Sequence, residues 1–385
     1  MKTSQDKKFL PYGRQTIEED DIKSVLQVLR GDYLTTGPKV AEFEQAFSER
    51  TGAGETVVCG NGTQALHLAC LAVGIGPGDA AIVPTLTFLA TANAIRYCGA
   101  EVIFADVDPE TGLLTPEILQ NVIAKNKDKH LKAVFPVHLA GQAVDLKEIR
   151  EIADKNGLQI IADSCHALGT TYQGHEIGAC EYEDFATFSF HPVKTIAMGE
   201  GGAVTTNNPD IANKLRKLRS HGMIPTPDIG PWAYEMPELG YNYRASDIHC
   251  ALGVSQLKKL DRFIARRREL TKIYDELLAP LDPIIKAPER VPDCDPAWHL
   301  YAVRIDFEKA GISRGALMEK LKEQGIGTQV HYIPVHTQPY YQRLYGDQPL
   351  PGAEKYHAQT LSLPLFPAMT KEDVYKVTQC LKNLI

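Results

Sequence analysis

Lys194 lies in the run Ser189-Phe190-His191-Pro192-Val193-Lys194-Thr195-Ile196-Ala197-Met198-Gly199-Glu200-Gly201-Gly202, and Asp163 ends the apolar stretch Gln159-Ile160-Ile161-Ala162-Asp163 about thirty residues earlier. A lysine amine can condense with an aldehyde, but at neutral pH it must first be desolvated or set near other cations. A carboxylate facing a pyridine nitrogen favours the protonated ring, which then acts as an electron sink. These are the two groups that a pyridoxal phosphate (PLP) enzyme needs most. Taken singly, each has a plain alternative: a surface lysine, and an aspartate capping the next turn.

Other residues in the chain could complete such a site. Gly60-Asn61-Gly62-Thr63 falls between a strand-like and a helix-like segment. There Gly62 would let the backbone approach a phosphate, the helix start would supply free N–H groups, and Thr63 would add a hydroxyl. An ordinary strand-to-helix turn is the competing reading; the dinucleotide pattern G-x-G-x-x-G is absent. Ser189 offers a second hydroxyl on the phosphate side. Phe88, in Thr85-Leu86-Thr87-Phe88-Leu89-Ala90, could stack on a planar ring. Gly240-Tyr241-Asn242-Tyr243-Arg244 sets the polar donors Asn242 and Arg244 among aromatics. Cys165 and His166 are adjacent and would point to opposite faces, so they form no nucleophile–base pair; His166 is better placed to touch a cofactor's ring oxygen. His331 and His336 have no third partner at metal-ligand spacing, so no metal is expected. Arg266-Arg267-Arg268 would fan around a helix as a solvated face.

The elements that must position these groups follow from the hydrophobic pattern. Strand-like runs over 56–59, 80–84, 102–107, 133–137, 159–163, 185–190 and 203–206 alternate, in the earlier part, with helix-like segments over 63–73, 90–98, 116–124 and 146–156. Gly74 and Gly157 fit helix stops. This alternation predicts an α/β domain with a mostly parallel sheet, helices on both faces, and a ligand beyond the carboxyl ends of the strands. A long helix is expected from Ser246 or Asp247 to Leu278, and a Pro- and Asp-rich connector over 282–298. Strands over 301–307 and 328–333 and helices over 313–324 and 371–383 would make a smaller α+β domain. The expected division is 1–265 and 266–385, as the length favours two cores.

Composition sets the outer bounds. With 41 basic and 48 acidic residues the net charge is −7, which disfavours non-specific nucleic-acid binding but leaves room for a small anionic ligand in a local pocket. None of the eight cysteines forms a C-x-x-C pair, which suggests free thiols in a reducing compartment. Residues 1–8 contain no apolar leader core, and no apolar run reaches membrane-spanning length. A cytoplasmic location is expected.

From about Leu10 to its C-terminus the chain resembles the DegT/StrS-type sugar-nucleotide aminotransferases, which are fold-type-I PLP enzymes. The resemblance rests on Gly31-Asp32-Tyr33-Leu34-Thr35-Thr36-Gly37-Pro38, Gly62-Thr63, Thr87-Phe88, Ala162-Asp163-Ser164-Cys165-His166-Ala167-Leu168-Gly169, the Lys194 run, the Gly240 to Arg244 run and the His331 segment. It implies that Lys194 carries PLP, that Asp163 faces the pyridinium, that Phe88 stacks on the ring, and that His166 stands where the family has Gln or His. Gly62, Thr63 and Ser189 would hold the phosphate, joined by Asn242 from the other subunit of a homodimer. Tyr12, the turn of Leu34, Thr35, Thr36 and Gly37, and the segment of Gln329, Val330, His331 and Tyr332 would line the sugar-nucleotide pocket. Ala162 and Cys165 replace a more common Glu and Ala. Within the family the chain looks most like the branch that aminates a UDP-linked 4-keto sugar for pseudaminic acid, with L-glutamate as amino donor. Three alternatives stay open: an aminotransferase acting on another keto sugar (3-keto or dTDP-linked), a different PLP reaction on similar substrates, and a non-catalytic protein on the same fold. Family dehydratases carry His where this chain has Lys194.

Overall fold

The computed structural model describes residues 9–385; the N-terminal segment over 1–8, read above as lacking a leader core, lies outside them. Its centre is a seven-stranded sheet built from β1 (Glu55–Cys59), β2 (Asp79–Pro84), β3 (Glu101–Ala105), β4 (His130–Val134), β5 (Gln159–Asp163), β6 (Phe185–Ser189) and β7 (Gly202–Thr206). The spatial order is β1-β7-β6-β5-β4-β2-β3. β3, β2, β4, β5 and β6 are parallel, whereas β7 pairs antiparallel with both β6 and β1. β7 therefore runs against the other six strands. The carboxyl ends of β1, β2, β5 and β6 share one edge.

The strands read as continuous apolar runs because both faces are covered. Consecutive side chains enter opposite cores. Val83, Ala133 and Ile161 pack against α3 (Gly62–Ala72), α4 (Leu89–Tyr97) and α7 (Pro209–Arg219), while Ile82, Val134 and Ile160 pack against α5 (Pro116–Lys125) and α6 (Leu146–Asn156). Before the sheet come α1 (Glu19–Leu29) and α2 (Pro38–Thr51). Phe43 and Phe47 of α2 join Phe188 and Phe190 in a further cluster.

The helix expected from 246 to 278 is two helices, α8 (Asp247–Leu257) and α9 (Leu260–Leu278). At the break, Lys259 is buried and its ammonium meets Asp20 at 2.6 Å and Asp21 at 2.7 Å. A buried ammonium needs paired carboxylates, and turning the chain here supplies them from α1. Ile264 packs with the large-sheet clusters, whereas Leu270, Tyr274 and Leu278 pack in a second core. That core lies on a sheet of β8 (Ile285–Lys286), β9 (Tyr301–Ile305) and β10 (Thr360–Leu363), with α10 (Arg314–Glu323) and α13 (Lys371–Leu384). Between them α11 (Pro339–Tyr345) and α12 (Pro351–Gln359) return to the large domain, where Tyr341 and Tyr356 are buried. At the other terminus Leu10 joins the second core, exchanging backbone hydrogen bonds with Gly325 and Gly327.

Two further expectations are corrected. The segment over 328–333 is no strand: it touches β10 through one bridge, Gln329 to Ser362, then leaves for the large domain. The third strand is Thr360–Leu363. The arginine run is not a solvated face either. Arg267 is 1% exposed and donates to the carbonyls of Trp298, His299 and Leu365, while Arg266 donates to Met369 and Arg268 to Pro296. Carbonyls left over where the chain crosses between domains need donors, and a guanidinium can serve several at once.

Candidate active site

A cavity of about 620 Å³ opens at the carboxyl edge of the large sheet. The tips of β1, β5 and β6 deliver parts of its wall. β1 ends at the turn into α3, where the Asn61 side chain accepts from the Gln64 N–H at 2.9 Å. The first N–H groups of α3, at Gly62 and Thr63, have no partner within the helix and point outward. β6 ends at Ser189, opposite that turn. A Cβ on Gly62 would stand 2.8 Å from the Ser189 Cβ and 3.3 Å from the Cys165 Sγ, so only glycine leaves the cradle open. β7 makes the approach possible: Gly202 pairs with both Cys59 and Ser189, and a side chain there would run into the Asn61 backbone.

β5 ends at Asp163, which is 6% exposed. Its Oδ1 accepts from the Cys165 N–H at 3.2 Å and its Oδ2 from the Thr91 hydroxyl at 2.7 Å. A carboxylate only accepts, so the single Thr91 proton is committed to Asp163. The Thr87 hydroxyl, 2.7 Å from Thr91 Oγ1, must then donate to Thr91. The wire Thr87 to Thr91 to Asp163 fixes the carboxylate from α4. Cys165 is not a nucleophile: burial and the nearby Asp163 push its thiol well up, so it keeps its proton.

Lys194 stands in the loop between β6 and β7, where its N–H bonds the His191 carbonyl at 2.8 Å. It keeps some surface through the cavity mouth but is otherwise ringed by protein. Burial lowers the pKa of its amine, partly opposed by Cys165 and Asp163. A lowered lysine pKa is what an amine nucleophile and base requires. Phe88, at the N-terminus of α4, is 55% exposed and faces the cavity with its ring 6.0 Å from that of Tyr332. An aromatic face left uncovered here suits a planar ligand ring.

The same cavity is lined by His166 and by Tyr12, Gln329, Val330, His331 and Tyr332. His331 and His336 diverge: His331 Nδ1 lies 2.8 Å from Ser362 Oγ, and His336 Nδ1 lies against Thr85 Oγ1 at 2.6 Å. Burial and Lys194 push His331 down to about 3, and His166 and His299 are also pushed well below the usual histidine range, mainly by burial. These rings are neutral at pH 7.

Five expected residues stand apart from this cavity within one chain. Leu34, Thr35, Thr36 and Gly37 form a turn fastened to the start of α8. The Gly37 and Lys39 N–H groups donate to Asp247 at 2.8 and 2.9 Å, and Thr35 bridges Ser246. Asn242 is exposed and its backbone pairs with Ser220. Two residues of the site escaped the sequence reading. Thr91 touches Asp163 from 72 positions away, and His299 lies against His166 with ring centroids 4.3 Å apart. Thr91 falls in the segment over 90–98, read only as a helix, and His299 falls between the connector over 282–298 and the strand over 301–307.

The donors present fit PLP: an open glycine cradle with two hydroxyls, a held carboxylate, an uncovered aromatic face and a lysine of lowered pKa. Comparison with known proteins agrees. Residues 15–382 match the DegT/DnrJ/EryC1/StrS aminotransferase family. The spore coat polysaccharide biosynthesis protein SpsC of Bacillus subtilis is 39% identical, over 98% of this chain and 97% of its own. Helicobacter pylori PseC, an aminotransferase of pseudaminic acid biosynthesis, superposes with a TM-score of 0.90 at 29% identity, covering 98% of this chain and 99% of that one. The putative sugar aminotransferase Spr1654 of Streptococcus pneumoniae, in a pyridoxamine phosphate form, gives a TM-score of 0.90 at 28% identity, over 97% and 98% of the two chains. The chain belongs to the DegT/DnrJ/EryC1/StrS aminotransferase family and is a PLP-dependent aminotransferase of fold type I.

Proposed function

We propose that this enzyme aminates a nucleotide-linked 4-keto-6-deoxy sugar, carried on UDP, with L-glutamate as donor, for a surface glycan of the pseudaminic acid kind. The observation that carries the chemistry is the convergence of Lys194, Asp163 and the Gly62–Ser189 cradle in one cavity. The relatives support the substrate class: one is named for spore coat polysaccharide and one for pseudaminic acid. When bound, PLP supplies the electron sink that lets an amino group leave one carbon and join another.

The chain's own residues supply the rest. The N–H groups of Gly62 and Thr63, with the Thr63 and Ser189 hydroxyls, hold the phosphate at the α3 dipole. Asp163, steadied by Thr91 and the Cys165 N–H, would face the ring nitrogen, and Phe88 would cover the ring. Lys194 Nζ would take a proton from the donor's α-carbon and pass it to the cofactor carbon within that half, and in the opposite half would deliver a proton to the sugar carbon that gains the amine; as a tethered base it stays beside the carbons it serves. Glutamate leaves as 2-oxoglutarate, and the sugar gains the amine. Tyr12 and the Gln329 to Tyr332 segment line the sugar side. The exposed Asn242, the Leu34 to Gly37 turn, and the uncovered Trp232 and Leu239 (75% and 73% exposed) support a homodimer in which each protomer completes its partner's site. The eight cysteines are unpaired, which supports a reducing compartment, the cytoplasm. Among the described residues no helix is long and apolar enough to cross a membrane.

The test is an assay with glutamate against a panel of 4-keto and 3-keto sugars on UDP and dTDP, read by mass and NMR of the product. A 4-amino UDP-sugar is expected. Amination confined to 3-keto or dTDP-linked sugars contradicts the substrate, and full turnover by Lys194→Ala contradicts the site.

A further inference from the structure

Two of the eight cysteines lie side by side, next to a histidine and away from the cavity. Cys70 is in the third turn of α3, and Cys98 caps the C-terminus of α4, which packs against α3. Their thiols share a hydrogen bond. His67 stands one turn before Cys70, on the same face of α3. Its ring is walled by Tyr97, Tyr241 and Tyr243, with centroids 5.6, 5.1 and 5.9 Å away. Its Nδ1 lies 3.1 Å from Tyr243 Oη, while its Nε2 is buried with no oxygen or nitrogen partner. With Nδ1 engaged by Tyr243, the nitrogen left to face Cys98 is Nε2.

A thiol reacts as its thiolate. Cys70 holds the Cys98 thiol below the usual thiol range, and His67 adds to this against the opposing pull of burial. Burial pushes Cys70 well up, so it keeps its proton and donates it toward Cys98. Cys98 is half-buried beside the exposed Tyr97, within reach of a small reagent, whereas Cys70 is fully buried. Other thiols are placed differently. Cys59, Cys180 and Cys250 are buried and pushed up by it, as are the half-buried Cys165 and Cys294. An accessible thiolate with a second, protonated cysteine at its side suits an oxidisable thiol and its resolving partner. It does not suit a metal: among the described residues no three His, Cys, Asp or Glu side chains converge to hold an ion.

We propose that Cys98 and Cys70 form a reversible, peroxide-driven modification site, with Cys98 as the attacking thiol, Cys70 as the resolving one and His67 as the positioning residue that keeps the Cys98 sulfur ionised. The Cys98 sulfur attacks one oxygen of hydrogen peroxide; the O–O bond breaks and the other oxygen leaves, with a proton, as water. The Cys70 sulfur then attacks the Cys98 sulfenic acid. An S–S bond forms, the S–O bond breaks, and the hydroxide leaves with the Cys70 proton as water. Two thiols thereby give up two electrons and the peroxide becomes two waters. A dithiol reductant reverses the step by exchange. The bond would tie together the far ends of α3 and α4, whose starts carry Gly62, Thr63, Phe88 and Thr91 at the cavity. The site is independent of which sugar the enzyme aminates.

The test treats the PLP-loaded, full-length enzyme with a small excess of hydrogen peroxide at neutral pH, caps free thiols with iodoacetamide and maps the peptides by mass spectrometry. A disulfide between Cys70 and Cys98 is expected, formed before any oxidation of Cys380 and removed by dithiothreitol. Without peroxide, iodoacetamide should alkylate Cys98 roughly tenfold faster than Cys380, because an ordinary thiol is only a few per cent ionised at neutral pH. In His67→Gln the pH of half-maximal alkylation of Cys98 should rise. Cys70→Ser keeps a donor beside Cys98 but cannot form the disulfide, so peroxide should leave a Cys98 sulfenic acid that dimedone traps. The proposal is overturned if Cys98 reacts no faster than Cys380, if peroxide leaves Cys70 and Cys98 unlinked in the parent, if the half-maximal pH is unchanged in His67→Gln, or if Cys70→Ser yields no dimedone adduct at Cys98. Should either variant not be recovered folded, the parent's peptide map and alkylation rates decide alone.

Discussion

Replacing Thr91 with valine keeps the shape of α4 and removes one oxygen. That oxygen is the strongest hold on Asp163, at 2.7 Å against 3.2 Å for the Cys165 N–H. Hydrogen bonds to charged groups contribute about 1.5–3 kcal/mol. With Asp163 only 6% exposed, water cannot easily replace the lost donor. The carboxylate is then free to turn from the ring nitrogen, and Thr87 loses its acceptor as well. PLP affinity should fall roughly 10- to 150-fold, with kcat falling alongside, because 1.4 kcal/mol is a factor of ten. Titrating the apo-protein with PLP, followed by its visible band, measures the affinity directly. Thr91→Ser keeps the hydroxyl and should bind within a few-fold of the parent. A Thr91→Val protein that binds PLP within twofold of the parent, or a serine variant as weak as the valine one, refutes the wire.

Gly202→Ala places a methyl group against the Asn61 backbone; overpacking of about 1–3 kcal/mol should lower the melting temperature and weaken PLP binding together, and a variant matching the parent in both contradicts the account of the cradle. Acid should destabilise the apo-protein. His138 and His331 are pushed down to about 3 by burial, so the unfolded chain binds protons below about pH 6.5 that the native one refuses, and stability is lost from there toward pH 3, about 2 kcal/mol for each by pH 5. Glu183 works in the opposite sense: burial lifts it to about 7, so the native form takes up its proton first and recovers about 2 kcal/mol over the same interval. Melting curves from pH 7 to 5 should therefore show a moderate fall that steepens in Glu183→Gln, and an unchanged slope in that variant would refute the assignment.

The sheet was legible because its strands are apolar on both faces and short. β5 and α6 have the bounds that the pattern predicts, and the residues at the strand tips follow from the rule that ligands gather there. What escaped was decided by contacts distant in sequence. Lys258 and Lys259 continue a helical pattern, and only Asp20 and Asp21, brought by α1, turn it into a break. Arg267 reads as surface in any window of its own helix; its three carbonyl partners lie up to 98 positions away. Thr360–Leu363 completes the small sheet by pairing with Tyr301–Ile305, while the more strand-like stretch near Gln329 is drawn off to furnish His331 and Tyr332. The same holds for Thr91, whose hydroxyl matters only because α4 crosses the tip of β5.

The lone reversed strand ties the earliest part of the sheet to one of the last. Cys59 finds its neighbour at Gly202, roughly 140 residues downstream, and β7 is the strand that β1 pairs with, so on a ribosome β1 waits with both edges bare through most of the sheet's synthesis. Distant pairings of this sort slow folding and expose strand edges to misassociation. The Gly60 to Thr63 turn proposed for the phosphate is thus among the later parts to acquire its final shape, and a nascent or truncated chain stopping before β7 would lack the strand that sets it beside Ser189.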